Sequence, residues 1–217
     1  MICAVLNPEP DGIALTVLKD DALLIDARTE MYGREAAALP DFIITALAEN
    51  ALTLDDVDQW SVGSGPGSFT ALRMVAALVS GWCFGKKEVV CRGVPGAVAL
   101  ACGAPQSDRI GALYDGRNHE LLYFGLKREN GTAVPTGETH VLNAGEAESF
   151  FAGRKDEVFV CHTHDLEAVK AILPENVGIV PVAKADTAAL ARNTSIAFDN
   201  DLTKLVYIRP AVYTHLK

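Results

Sequence analysis

Ser61-Val-Gly-Ser-Gly65-Pro-Gly67-Ser68-Phe69-Thr70-Ala-Leu-Arg73 joins a strand-like segment to an apolar stretch that runs to Phe84, with Arg73 the only charge in between. The order is strand, loop, helix. Gly63, Gly65 and Gly67 permit positive φ and close backbone approach, Pro66 fixes one dihedral between them, and Ser68 is placed to cap the helix that follows. Such a loop serves either as a tight turn that starts a buried helix close to its strand or as a cradle whose amides hold an anion. A P-loop needs Lys-Ser or Lys-Thr after its last glycine, and a dinucleotide fingerprint needs its third glycine one place later. A nucleophile elbow needs glycines two before and two after a serine, yet Val62 precedes Ser64 and Pro66 precedes Ser68 at that distance.

The chain has 217 residues, 49% of them hydrophobic and 22% charged, which suits one large domain or two small ones with a substantial core. A net charge of −9 opposes diffuse binding to nucleic acid, because neutralising phosphates takes clustered Lys and Arg. If RNA is involved, a partner supplies the basic surface. The five cysteines, Cys3, Cys83, Cys91, Cys102 and Cys161, are scattered in apolar surroundings, as expected of reduced thiols in a cytoplasmic protein. The N-terminal stretch has no basic region followed by a long apolar run, so no signal peptide or membrane span is expected.

Outward from the loop, Ile2 to Leu6, Gly12 to Leu18 and Leu23 to Thr29 read as a meander turned at Asn7-Pro8-Glu9-Pro10 and Lys19-Asp20-Asp21. A helix is expected from Glu35 to Asn50, then the glycine-loop strand and helix, a strand at Glu88 to Cys91 and a short helix at Pro95 to Cys102. The second half repeats that order. Arg109 to Tyr114, Glu120 to Lys127 and Thr132 to Val141 form a second meander. Helices at Gly145 to Phe151, Asp165 to Leu173 and Asp186 to Phe198 then alternate with strands at Glu157 to Cys161 and Val177 to Val182. Two β-β-β-α-β-α-β-α units result, divided here as 1–103, with the glycine-rich loop, and 104–217.

Gly65-Pro-Gly-Ser-Phe-Thr70 followed by Leu72-Arg73 resembles the signature of the bacterial TsaB (YeaZ) family. Gly93-Val94-Pro95, Asp115-x-Arg117-x-x-Glu120-x-x-Tyr123 and Leu205-Val-Tyr207-Ile-Arg209-Pro210 fall where that family has similar segments, and Leu39-Pro40 resembles the start of its first helix. The resemblance implies an α/β fold of two ribonuclease-H-like halves, mixed sheets flanked by helices, as in the actin, sugar-kinase and Hsp70 superfamily. It implies a non-catalytic scaffold without cofactor or metal. Its partner is a TsaD-like catalytic subunit, with an ATPase subunit and tRNA joining only in the complex that transfers threonylcarbamoyl to adenosine beside the anticodon. Two departures stand out: Leu6-Asn7-Pro8 where the family has Asp-Thr, and Arg34 where it has His.

The resemblance also implies dimerisation through the first two helices, and on this chain that points to Leu39, Phe42, Ile43, Ala46, Phe69, Leu72, Arg73, Ala76, Ala77 and Ser80. A homodimer would compete for the same surface. The glycine-loop helix is apolar nearly all round, so one face is expected against its own sheet and another free for a partner. Alternatives are an active ATP-dependent transferase or kinase of the same superfamily, or a self-associating protein lacking that partner. An active enzyme needs acids after the first strand of each half to position metal and phosphate, and Leu6 supplies none. Asp115, Arg117 and Glu120 read as an exposed turn, and Cys161-His162-Thr-His164 as a polar strand end too short of ligands for a closed zinc site.

Overall fold

The computed structural model describes residues 1–30 and 37–209. The first unit runs β1 (Ile2–Glu9), β2 (Gly12–Lys19), β3 (Ala22–Thr29), α1 (Leu39–Ala48), β4 (Gln59–Gly63), α2 (Phe69–Cys83), β5 (Val90–Val94) and α3 (Ala97–Ala101). The second runs β6 (Arg109–Asp115), β7 (Leu121–Glu129), β8 (Thr132–Leu142), α4 (Ala144–Ala152), β9 (Glu157–His162), α5 (Leu166–Lys170), β10 (Ile179–Val182) and α6 (Ala188–Arg192). The sheet orders are β3-β2-β1-β4-β5 and β10-β9-β6-β7-β8. In each unit the first strand pairs antiparallel with the second and parallel with the fourth. The duplicated order read from the sequence is therefore matched by duplicated pairing, and the chain has the expected α/β fold of two ribonuclease-H-like halves.

Strand alternation sorts side chains into layers. Ala4, Leu6, Leu15, Trp60, Val62 and Cys91 face α1 and α2 in one core, whereas Val5 and Val94 face the opposite side with α3. On the second sheet Ile110, Ala112 and Val160 share that inner core, and Leu113, Tyr123 and Cys161 face α4 and α5. The inner layer is exchanged between halves: α3 packs on β6, β7, β8 and β9, while α6 packs on β1, β2 and β4.

Arg92 locks this exchange. It sits on β5, 3% exposed, and its guanidinium donates to Ser61 Oγ and to the carbonyls of Leu190, Ala191, Asn193 and Ile196. The first three of these carbonyls are the orphans at the C-terminal end of α6, where a positive charge is also favoured by the helix dipole, and Ile196 lies in the chain just beyond it. Phe198 stacks on the guanidinium at 4.2 Å. Beyond α6 the chain crosses back as a strap. Asn200 exchanges two hydrogen bonds with the backbone of Cys91 on the edge strand β5, and Leu202 and Leu205 join the first core.

Several expected boundaries shift. β1 continues to Glu9 rather than turning at Asn7; its parallel pairing with β4 ends at Leu6, so Pro8 lies on an open edge where its missing N–H costs nothing. β5 covers Val90–Val94 rather than Glu88 to Cys91, because Arg92 and Gly93 continue the pairing with β4. α6 stops at Arg192, well short of Phe198: Asn193 is extended, its Oδ1 accepting from Ser195 N and Oγ, and Arg92 takes the last carbonyls. The expected helix from Asp165 begins as a 3-10 turn, Thr163–Asp165, before α5. Arg34 and the expected helix start at Glu35 lie outside the described residues, as does Pro210.

Two outcomes follow from these buried polar groups. Arg92→Met should destabilise the fold by at least about 3 kcal/mol, since it strands several buried carbonyls at once; urea unfolding within 1 kcal/mol of the parent would contradict the clamp. Burial holds the His162 imidazole, at the end of β9, down to about 4, with His164 and Arg28 adding and Asp11 opposing. The folded state thus refuses a proton that the unfolded chain accepts, so stability present above pH 6.5 is lost as pH falls towards 4. An NMR titration of His162 with its midpoint at the ordinary value would contradict this burial.

Candidate functional site

The glycine-rich loop is closed by the chain's own backbone. Ser64 N donates to Val94 O at 2.9 Å, Gly96 N to Gly65 O at 2.8 Å, and Val206 N of the strap to Ser64 O at 2.7 Å. Only Gly65 of the three loop glycines has a positive φ, +116°, and a Cβ there would lie 2.6 Å from Val206 O. Gly63 serves close approach instead, since its Cβ would lie 2.1 Å from Asn7 Oδ1, and Gly67 is exposed with open space around it. Ser68 precedes α2 in extended conformation, but its side chain makes no capping bond, contrary to expectation. Past the loop, Tyr207 stacks on Phe69 at 4.7 Å between centroids and accepts from Arg73 Nε at 3.1 Å. The loop thus seats the strap, and the strap reaches the first turns of α2.

Leu6, where the resemblance would put an acid, is fully buried in the first core. Its neighbour Asn7 points the other way, 2% exposed, with Nδ2 3.4 Å from Glu9 Oε1. Asn7 Oδ1 accepts no hydrogen bond from the described residues and is wedged against Gly63 and Gly96. Glu9 is ion-paired with Arg28 at 3.1 Å, although burial still raises its carboxyl above the usual range. Arg28 crosses to the second half by donating to Ala185 O at 2.9 Å, and the Thr16 and Thr187 hydroxyls bond to each other across the same seam. The crossing between halves is made by Arg28, which also holds the Glu9 carboxylate, so as metal ligands Asn7 and Glu9 offer one neutral amide oxygen beside a carboxylate already committed.

The remaining polar candidates separate. Asp115 Oδ1 accepts from the Arg117 backbone N–H at 2.7 Å, in a turn where Arg117, Asn118 and His119 all have positive φ, while Glu120 pairs with Arg209 of the strap. The arginine of that turn therefore binds Asp115 through its amide, not its guanidinium. Cys161 faces the outer core and is pushed up to about 11 by burial, whereas His162 alternates to the other face. Among the described residues no three His, Cys, Asp or Glu side chains gather as ligands.

Burial divides the expected contact residues. Leu39 and Ile43 are 0% exposed, Leu72 1%, Ala76 6% and Ala46 8%, so these five face the sheet and are unavailable as a contact surface. Phe42 and Phe69 are half-buried, and Arg73, Ala77 and Ser80 are exposed. Thr70, Arg73, Ala77, Ser80, Gly81 and Phe84 make the outer stripe of α2 and its end, with Phe84 88% exposed; Ile44, 47% exposed, projects from α1. Of the expected α2 residues, Arg73, Ala77 and Ser80 lie on the outer stripe, whereas Leu72 and Ala76 pack inward, because most of the large side chains of α2 face the sheet. Arg92 and the strap were not foreseen. The signal for Arg92 was present as one charge within the apolar run Val89-Val-Cys-Arg92-Gly-Val94.

Comparison with known proteins gives a family. Residues 34–181, more than half of the chain, match the family described as TsaD, tRNA N6-adenosine threonylcarbamoyltransferase. The chain is 34% identical over 86 residues to the tRNA threonylcarbamoyladenosine biosynthesis protein TsaB of Haemophilus influenzae; the match covers 38% of this chain and only 36% of that relative's length. YeaZ from Pseudomonas aeruginosa has the same fold, with a TM-score of 0.73 at 19% identity, covering 95% of this chain and 99% of its own. A second solved structure, described as similar to peptidase YeaZ from Pseudomonas aeruginosa, gives 0.71 at 18% identity, covering 96% and 99%. With the glycine-loop signature, the duplicated topology and these matches together, the chain belongs to the TsaD family as a diverged member of its TsaB (YeaZ) group.

Proposed function

We propose that this chain is a non-catalytic scaffold subunit that binds a TsaD-like catalytic subunit for threonylcarbamoyl modification of the adenosine beside the tRNA anticodon. An ATPase subunit and tRNA join only within that complex, and the division at residues 103 and 104 separates the docking half from the half that supports it. The reading is carried by the outer face of α1 and α2. Ala77, Ser80 and Gly81 let a partner helix approach closely, Ile44 and Phe84 supply apolar area, and Arg73 is the single charge of α2. A homodimer would use the same face. The strap seated on the glycine-rich loop and the neutral Asn7 within β1 favour a scaffold over a phosphate-transferring enzyme. Among the described residues no helix is long and apolar enough to cross a membrane.

The tagged chain, purified from its own cell, should bring a TsaD-like protein with it. Ala77→Glu should abolish that capture, because a carboxylate left unpaired in an apolar contact costs about 3–5 kcal/mol, more than a hundredfold in Kd. A partner that still binds Ala77→Glu, with the circular dichroism of the parent retained, would show that the contact lies elsewhere. The isolated chain should not turn over ATP; hydrolysis that disappears in Asp115→Asn would favour the kinase or transferase reading instead.

A further inference from the structure

Cys83 closes α2, and Cys91 is the second residue of β5, facing the same core. Two observations place one over the other. Trp60 of β4 lies directly opposite Cys91 in the parallel register, Trp82 immediately precedes Cys83, and the two indole rings stack with centroids 5.3 Å apart. The last turn of α2 therefore rests on the Trp60–Cys91 rung of the sheet. Cys3 Sγ is turned to Gln59 Oε1 and Cys102 Sγ to Val98 O, while Cys161 lies in the core of the second half. Cys83 is half-buried and reachable from solvent; Cys91 is buried and its backbone is held on both sides by Asn200.

We propose that Cys83 and Cys91 form a reversible intramolecular disulfide that staples the end of α2 to β5, with Cys83 as the sulfur oxidised first by a hydroperoxide. The Cys83 thiolate attacks one oxygen of hydrogen peroxide, the O–O bond breaks, and the departing hydroxide takes a proton to leave as water. Cys83 is then a sulfenic acid. The Cys91 sulfur displaces its hydroxyl, the S–O bond breaks, and the Cys91 proton leaves with it as a second water. The two thiols give up two electrons and the peroxide is reduced to two waters. The division of roles has a physical cause: Cys83 is half-buried and reached from solvent while Cys91 is buried, and the neighbouring Cys91 thiol and Lys86 favour the Cys83 thiolate.

The chain's two tryptophans both flank the pair, so their emission reports the bond. The intact chain is treated with hydrogen peroxide, unfolded and labelled with N-ethylmaleimide. Of its five thiols three should label, a peptide linking Cys83 to Cys91 should appear in the unreduced digest, and tryptophan emission should fall and be restored by dithiothreitol. In Cys91→Ser the link should vanish and dimedone should trap a sulfenic acid at Cys83. If that variant does not fold, Cys83→Ser, at a half-buried helix end, should lose both the link and the emission change. Five labelled thiols after treatment, a link between any other pair, or sulfinic acid at Cys83 without a link in the parent chain would each overturn the proposal.

Discussion

A single guanidinium determines how the two halves are held. Arg92 is a full charge in an apolar layer, and it is tolerated because every direction it can donate in is filled by a carbonyl of the opposite half or by Ser61. The burial that weakens its hold on the proton also strengthens each of those bonds, since no water competes. Around it the fold has little freedom. α6 must end where its carbonyls meet the guanidinium, β5 must present residue 92 inward and residue 91 outward, and the chain after Asn193 must turn back towards the first sheet.

The same layer explains why the structure has two halves without having two independent domains. Each sheet is covered on its inner face by the other unit's last helix, so each half exposes core if the other is removed. The seam is tightened by polar pairs that span it: Arg28 to Ala185, Thr16 to Thr187 and Lys184 to Asp26. The exposed Lys184–Asp26 pair contributes little by itself, whereas the buried Thr16–Thr187 bond and the part-buried Arg28–Ala185 bond fix register between surfaces whose apolar packing alone would allow sliding.

Element order was legible because it rests on local signals: Asn130-Gly131 does form the turn between β7 and β8, and the apolar run after Gly67 is the helix α2. What the sequence could not convey was partnership at long range. Nothing local to Asn193 says that an arginine far upstream will end its helix, and nothing local to Val206 says that it will lie on Ser64. The outward stripe of α2 was legible only in part, at Arg73, Ala77 and Ser80, for a related reason: apolar residues surround the helix, and only the sheet beneath decides which of them are core. Leu6 and Asn7 show the limit at single-residue scale, since strand parity puts the leucine on one face and the amide on the other.

The strap has a consequence for how the protein is made. Asn200 bonds to Cys91 across 109 residues of sequence, so the edge of the first sheet stays bare until the second half has left the ribosome. A chain released in order from its N-terminus can pair β1 to β5 and lay α1 and α2 on one face, yet the inner face and the β5 edge stay uncovered until α6 and the strap arrive. The inner face of the first sheet, with Arg92 on it, therefore stays open to water until α6 has been made, and the guanidinium enters the interior only when the two halves close on each other.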